Sequence, residues 1–210
     1  MAGKYGLYSS WAIWNPDNPA DTGIINSHLD TIKTSVIIVG LNVSRAVAKC
    51  WLNFHSRDHA RKLMFAFNDS SYRGAYMTDI IKGEIEANSG RMSARIRKGD
   101  IDVQKHVGRF CAEMHDVGVQ QHDLFILFGG DVTHVFRKHL VRIYSNYVSC
   151  PHYSMYGKGY SDAEWVDKTW RIVEEHHRAT KATFNTLAFT VNEMMNHQLQ
   201  TLRERRNARI

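Results

Sequence analysis

Apolar residues along this chain fall into short unbroken runs and longer, spaced series, and the two patterns predict different elements. Val36, Ile37, Ile38 and Val39 stand together before Gly40, as in a strand buried on both faces of a sheet. Residues 75–78 and 124–128 are two further strand-like runs, and residues 141–148 alternate imperfectly as a fourth strand. Residues 102–118 instead place Val103, Val107, Phe110, Cys111, Met114 and Val117 three and four apart, the spacing of an amphipathic helix. Shorter helices are expected over residues 21–34, from residue 46 to 52, over 58–67 and over 131–139. Residues 5–14 carry Leu7, Trp11, Ile13 and Trp14, an edge strand or cap that Pro16 and Pro19 bring to an end. Pro151, Gly157 and Gly159 exclude regular structure from residues 149–160. Two helices follow, one capped by Asp162 and running to about residue 175, the other over about 182–202. Strand and helix alternate. The pattern predicts one domain over residues 1–210 with a helical segment at about 162–207. Its fold is α/β, a doubly wound, mainly parallel four-stranded sheet flanked by helices.

Composition changes this picture little, but charge adds to it. Twenty-seven Lys and Arg against 21 Asp and Glu give a net charge of +6 with twelve histidines uncounted, which favours a polyanionic partner such as nucleic acid. Cys50, Cys111 and Cys150 are odd in number and widely spaced, which suits a reducing cytoplasm better than a disulfide framework or a metal knuckle. No apolar run is long enough to span a bilayer, and residues 1–14 lack a basic segment followed by a hydrophobic block. A cytoplasmic, monomeric protein is expected.

Candidate chemistry gathers at the strand ends, where open α/β sheets place their ligands. Asn42, Ser44 and Arg45 follow the first strand, Asp79 ends the second, and His152 lies on the loop after the fourth. Each has a plainer role open to it: Asn42 could cap a helix, His152 could be an ordinary loop histidine, and Phe54 could be core. His55 and His59 have metal-ligand spacing on a helix, but no acidic partner stands at the motif spacing, so no metal and no cofactor are expected.

In order and spacing, four segments resemble the motifs of the uracil-DNA glycosylase superfamily, over roughly residues 35–170. Gly40-Leu41-Asn42-Val43-Ser44-Arg45 is similar to its water-activating motif and Tyr76-Met77-Thr78-Asp79 to its base-reading strand end. Residues 124–129 are similar to the strand and glycine before its final loop, and His152-Tyr153-Ser154-Met155-Tyr156-Gly157 to the motif that carries a histidine and a wedge. The resemblance implies a monofunctional DNA glycosylase. Asn42 would position water, His152 would donate to the base O2, Phe54 would stack on the flipped base, and Tyr156 with Met155 would fill the gap in the duplex.

Two departures bear on the substrate. Ser44 stands where uracil-specific members carry an aromatic residue against base carbon 5, and so leaves room there. Asp79 stands where an asparagine is usual, and a carboxylate only accepts, which suits the amino group of cytosine. Together they point to a cytosine carrying a group on carbon 5, as in anti-phage members acting on glucosylated 5-hydroxymethylcytosine. Arg45, Asn53 and His55 are candidates to line the space for that group. Arg91, Arg95, Arg97 and Lys158 are candidates for the phosphates of double-stranded DNA. The competing expectations are a uracil or thymine mismatch glycosylase and a DNA-binding defence protein without catalysis. Val43 and Tyr153 also replace prolines of the resembled motifs.

Overall fold

The computed structural model describes residues 1–55, 60–154 and 161–181, and the chain falls into two compact units, Met1–Ile172 and Val173–Ile210. In the second unit the described residues, 173–181, are helical. The first is an α/β unit. In chain order it holds α1 (Ala2–Tyr5), β1 (Ser9–Trp11), β2 (Lys33–Asn42), α2 (Ala60–Phe67) and β3 (Ala75–Ile81). It continues through α3 (Ser89–Lys98), α4 (Val103–Val117), β4 (Leu124–Phe128), α5 (Gly130–His139) and β5 (Tyr147–Cys150). Residues 162–172 form a closing helix.

The sheet has five strands in the order β1-β3-β2-β4-β5, and only the β1–β3 pairing is antiparallel. The expected four-stranded sheet is thus corrected to five, because residues 9–11 pair with β3 through the register Ser9↔Thr78 to Trp11↔Tyr76. Ile37, Ile38 and Val39 of β2 and Phe125, Ile126 and Leu127 of β4 are fully buried, as unbroken apolar runs in central parallel strands require. On one face Ile37, Val39, Tyr76, Phe125 and Leu127 join Phe110 and Met114 of α4 and Phe136 of α5 in a continuous core.

The helix expected over 102–118 is α4 almost to the residue. Asp102 Oδ1 accepts from Lys105 N at 3.0 Å at its start, and Gly118 ends it in the left-handed conformation at φ 85°. Other expectations are corrected. Residues 21–34 form two 3-10 segments, Thr22–Ser27 and Leu29–Thr31, before β2 begins at Lys33, because their apolar residues do not share one buried face. Ile25 is buried while Leu29 is 61 % exposed. Residues 46–52 form no helix: Trp51 N donates to Gly6 O at 2.6 Å and Ser10 Oγ to Trp51 O at 2.6 Å, and these long-range bonds hold Trp51 at φ 66°. The fourth parallel strand starts at Tyr147, not residue 141, because Val141 and Tyr144 donate back to Phe136 O and Leu140 O in a turn that closes α5. The closing helix is capped by Ser161 instead of Asp162: Ser161 Oγ accepts from Glu164 N at 3.2 Å, and Glu164 Oε2 accepts from Ser161 N at 2.6 Å. Asp162 instead pairs with Lys62 of α2 at 2.9 Å.

From β2 the chain moves outward to β3 on one side, and after α4 it returns to lay β4 on the other. The carboxyl ends of β2 and β4 therefore diverge at a topological switch point, which opens a crevice between their loops.

Candidate active site

A cavity of about 430 Å³ occupies that crevice. Its walls include Leu41, Asn42, Ser44 and Arg45 from the end of β2, Phe128 to Val132 from the β4–α5 junction, and His152, Tyr153 and Ser154 after β5. Glu86 and Ser89 close the remaining side, so the first turns of α3 and α5 both border the space. Ser93 Oγ of α3 donates to Asp131 Oδ2 of α5 at 2.6 Å and ties the two helices together beside it.

Asn42 is the last residue of β2, two beyond Gly40, where the ladder to β3 still pairs it with Ile81. Its Nδ2 faces three backbone carbonyls, Val43 O at 3.0 Å, Glu86 O at 2.9 Å and Glu84 O at 3.3 Å. An amide nitrogen has two N–H groups, so these acceptors consume its donors and fix the side-chain orientation without a flip ambiguity. Among the described residues no group donates to Oδ1. The amide therefore brings an acceptor to the cavity.

His152 brings the complementary donor. Ser154 N donates to His152 Nδ1 at 3.1 Å, and a backbone N–H can only donate, so Nδ1 carries a lone pair and the neutral ring holds its proton on Nε2. Ser154 Oγ, 2.7 Å from the same nitrogen, acts as a second donor. The ring lies against Gly129, where a Cβ would come within 3.2 Å of His152 Cδ2 and where φ is 101°. Glycine is required there on both counts. Trp165 of the closing helix braces this loop by donating from Nε1 to Pro151 O at 3.1 Å.

Tyr153 stacks on His152 at 4.4 Å and meets Phe128 at 5.6 Å and Phe54 at 6.4 Å, edge to face. Burial, with the charge of Asp79 adding to it, raises its phenol pKa. Tyr153 thus lines the cavity and also feels the charge of Asp79. Asp79 lies inside β3, not at its end, because the strand continues through the buried Ile80 and Ile81. It sits opposite Gly40, and a Cβ on Gly40 would fall on Asp79 Oδ1. Its Oδ2 accepts from Asn53 Nδ2 at 2.8 Å. Burial raises its pKa from 3.8 to about 6, against the lowering effects of the Asn53 bond and the Lys82 charge.

Asn53, Phe54, His55 and Asp79 do not line the cavity. Asn53 spends its other N–H on Tyr8 O at 2.8 Å, which makes it the anchor of Asp79. His55 is wholly buried, with Nδ1 3.2 Å from Pro19 O and Nε2 3.1 Å from Trp11 O, and burial lowers its pKa to about 4. Its placement in a space for a base substituent is corrected: it holds the loop against the amino-terminal segment. Phe54, at φ 68°, packs against Tyr153, so the aromatic residues on the cavity wall include Tyr153 and Phe128 but not Phe54.

Behind Asp79 lies a second polar group that the sequence did not single out. Lys82 Nζ pairs with Glu113 Oε2 and donates to Thr78 Oγ1 at 2.7 Å and Asp79 O at 2.8 Å. Glu113 Oε1 accepts from Tyr76 at 2.8 Å and Thr78 at 2.7 Å. The only signal in the sequence was a charged residue, Glu113, on the apolar side of α4, opposite a lysine at a strand end.

Ser44 and Arg45 are exposed on the cavity rim. Arg91 and Arg97 are exposed on α3, and Arg95 donates to Glu84 Oε2 at 2.7 Å. Arg95 and Arg97 lie in the last turn of α3, where cations favour the helix dipole irrespective of any ligand. Met155, Tyr156, Lys158 and His59 lie outside the described residues. Among the described residues no three His, Cys, Asp or Glu converge to hold a metal ion, and no helix is long and apolar enough to cross a membrane. No family model, curated protein or solved structure matches the chain.

Proposed function

We propose that this protein is a monofunctional DNA glycosylase that flips a 5-modified cytosine from duplex DNA and hydrolyses its N-glycosidic bond, leaving an abasic site. The observation that carries the reading is the opposed polarity of Asn42 and His152 across one cavity at the β2/β4 switch point. Bond cleavage places positive charge on the sugar and negative charge on the departing base. A fixed acceptor is suited to hold water under the sugar, and a fixed Nε2–H to donate to the base oxygen as its charge grows. An amide does not neutralise the sugar cation as a carboxylate would. Chemistry at Asn42 is therefore slow unless the leaving base is activated.

Ser44 and Arg45 on the rim leave space for a substituent such as the glucosyl group of glucosylated 5-hydroxymethylcytosine. For Asp79 to read the base amino group, Tyr153 must swing aside, and the base takes its place between Phe54 and His152. The uracil or thymine mismatch reading draws support from one observation, the absence of Asp79 from the cavity wall. In that case Tyr153 stays in place and is itself the stacking surface.

Matched duplexes containing uracil, a thymine mismatch, cytosine, 5-hydroxymethylcytosine or its glucosylated form, followed by alkaline cleavage, separate these readings. Cleavage confined to modified cytosine, with Asp79→Asn weakening that preference, is the expected result. Cleavage of uracil or mismatched thymine alone moves the assignment to the second reading. Binding without cleavage of any duplex leaves a non-catalytic DNA-binding role.

A further inference from the structure

The first turn of α5 borders the cavity, and its last turn lies at the opposite edge of the sheet. The β4–α5–β5 crossover joins two parallel strands, so its helix must run back against them. Ten residues at about 1.5 Å each separate the two ends by roughly 15 Å. At the far end Gln104 of α4, Arg137, Lys138 and His139 of α5, and Val141 and Arg142 of the following turn line a second hollow of about 570 Å³.

No carboxylate lines this hollow, and among the described residues Arg137, Lys138 and Arg142 have no ion-pair partner. That is unlike Arg95, Lys62 and Lys82, whose charges are answered within the fold. Gln104 Nε2, an N–H donor, lies 3.1 Å from His139 Nδ1, which leaves the neutral ring's proton on Nε2. The helix dipole accounts for cations in the last turn of α5, but not for Arg142 beyond the helix or for Gln104 contributed by another one. Exposed guanidinium and ammonium groups with one polar amide and no Phe, Tyr or Trp match phosphate oxygens better than stacked bases.

We propose that this hollow binds the phosphate backbone of a duplex segment separate from the one that reaches the cavity. The count of two duplexes rests on the reading that duplex DNA also reaches the cavity, but not on base release there, since the two sites sit at opposite ends of the strands. The chain can then hold two duplexes at once, or two stretches of one looped DNA.

The test uses the full chain and a short unmodified duplex. Stoichiometry and affinity are followed across a salt series for wild type, Arg142→Ala, and the triple variant Arg137→Ala, Lys138→Ala, Arg142→Ala. Two duplexes per chain are expected for wild type and one for the triple variant. The logarithmic salt slope of the second binding event falls by up to about 0.9 for Arg142→Ala, a residue outside the helix whose loss leaves its dipole intact. The His139 ring resonance moves on adding duplex to wild type. One duplex per chain in wild type, or unchanged slopes in both variants, overturns the proposal. So does a His139 resonance that responds to inorganic phosphate but not to duplex. Failure of base release with any DNA leaves this stoichiometry as expected.

Discussion

Two polar groups sit within a few residues of each other along β2 and β3, and they are built on opposite terms. In the cavity, Asn42 spends its amide N–H groups on backbone carbonyls and keeps Oδ1 as an acceptor, and His152 is oriented by the backbone N–H that Ser154 donates to Nδ1. In the buried network behind Asp79, Lys82, Glu113, Tyr76 and Thr78 direct their hydrogen bonds at one another. A strand-end polar residue is available for chemistry only if its partners orient it without exhausting it. The network meets the first condition and fails the second, so its role is to specify the packing of α4 on β3.

The largest expected effect tests that division. Glu113→Ala strands the buried Lys82 ammonium and should cost about 3–5 kcal/mol in denaturant unfolding, whereas Lys82→Met with Glu113→Leu should recover most of the loss. A Glu113→Ala protein of wild-type stability would show that the Lys82 charge is not held away from solvent. Next, Asn42→Ala should lower base release by about 100-fold or more while leaving duplex affinity within about threefold, read by single-turnover cleavage and anisotropy. It should also cost about 1 kcal/mol of stability, because its carbonyl partners on the β3–α3 connection lose their donor.

Asp79 lies on the boundary between the two groups, and its titration sharpens the comparison. Its folded pKa, about 6, is raised above the unfolded 3.8, so the protonated acid favours folding. Its contribution is fully present below pH 3.8 and is lost as pH rises through about 6. Asp79→Asn removes a penalty of about 3 kcal/mol at pH 8 and about half of that at pH 5, by differences of unfolding free energy at the two values. An equal change at both pH values would place the carboxylate in contact with water. The smallest effect is expected at Arg97→Ala, within about 0.5 kcal/mol in stability, since its side chain is exposed. A large loss of stability there would show that α3 depends on more than its buried Met92.

Much of the fold was legible because it is governed locally. Asp102 and Gly118 delimit α4, and the runs in β2 and β4 are apolar without interruption, as buried strands must be. The segment from residue 46 to 55 was not legible, because its conformation is set by Gly6, Tyr8, Ser10, Trp11 and Pro19, some 36 to 45 residues away. The site divides along the same line. Asn42, Ser44, Arg45 and His152 reach one cavity because they follow the ends of strands whose order brings those ends together. Asn53 and His55 were read as companions from proximity in sequence, but tertiary carbonyls claim their polar atoms. Tyr153 was noted only as a replaced proline. Its position between Phe54, Phe128 and His152 depends on the loop after β5 meeting the turn at residues 51–55 and the end of β4.

The most direct measurement of the central claim is the mass of whatever leaves a duplex containing glucosylated 5-hydroxymethylcytosine when it is incubated with wild type and with Asn42→Ala. The account predicts free modified base and an intact sugar-phosphate strand with an abasic site from wild type, with almost none from the variant. Release of base by both proteins alike would contradict it, as would strand scission or loss of glucose alone with the cytosine still attached.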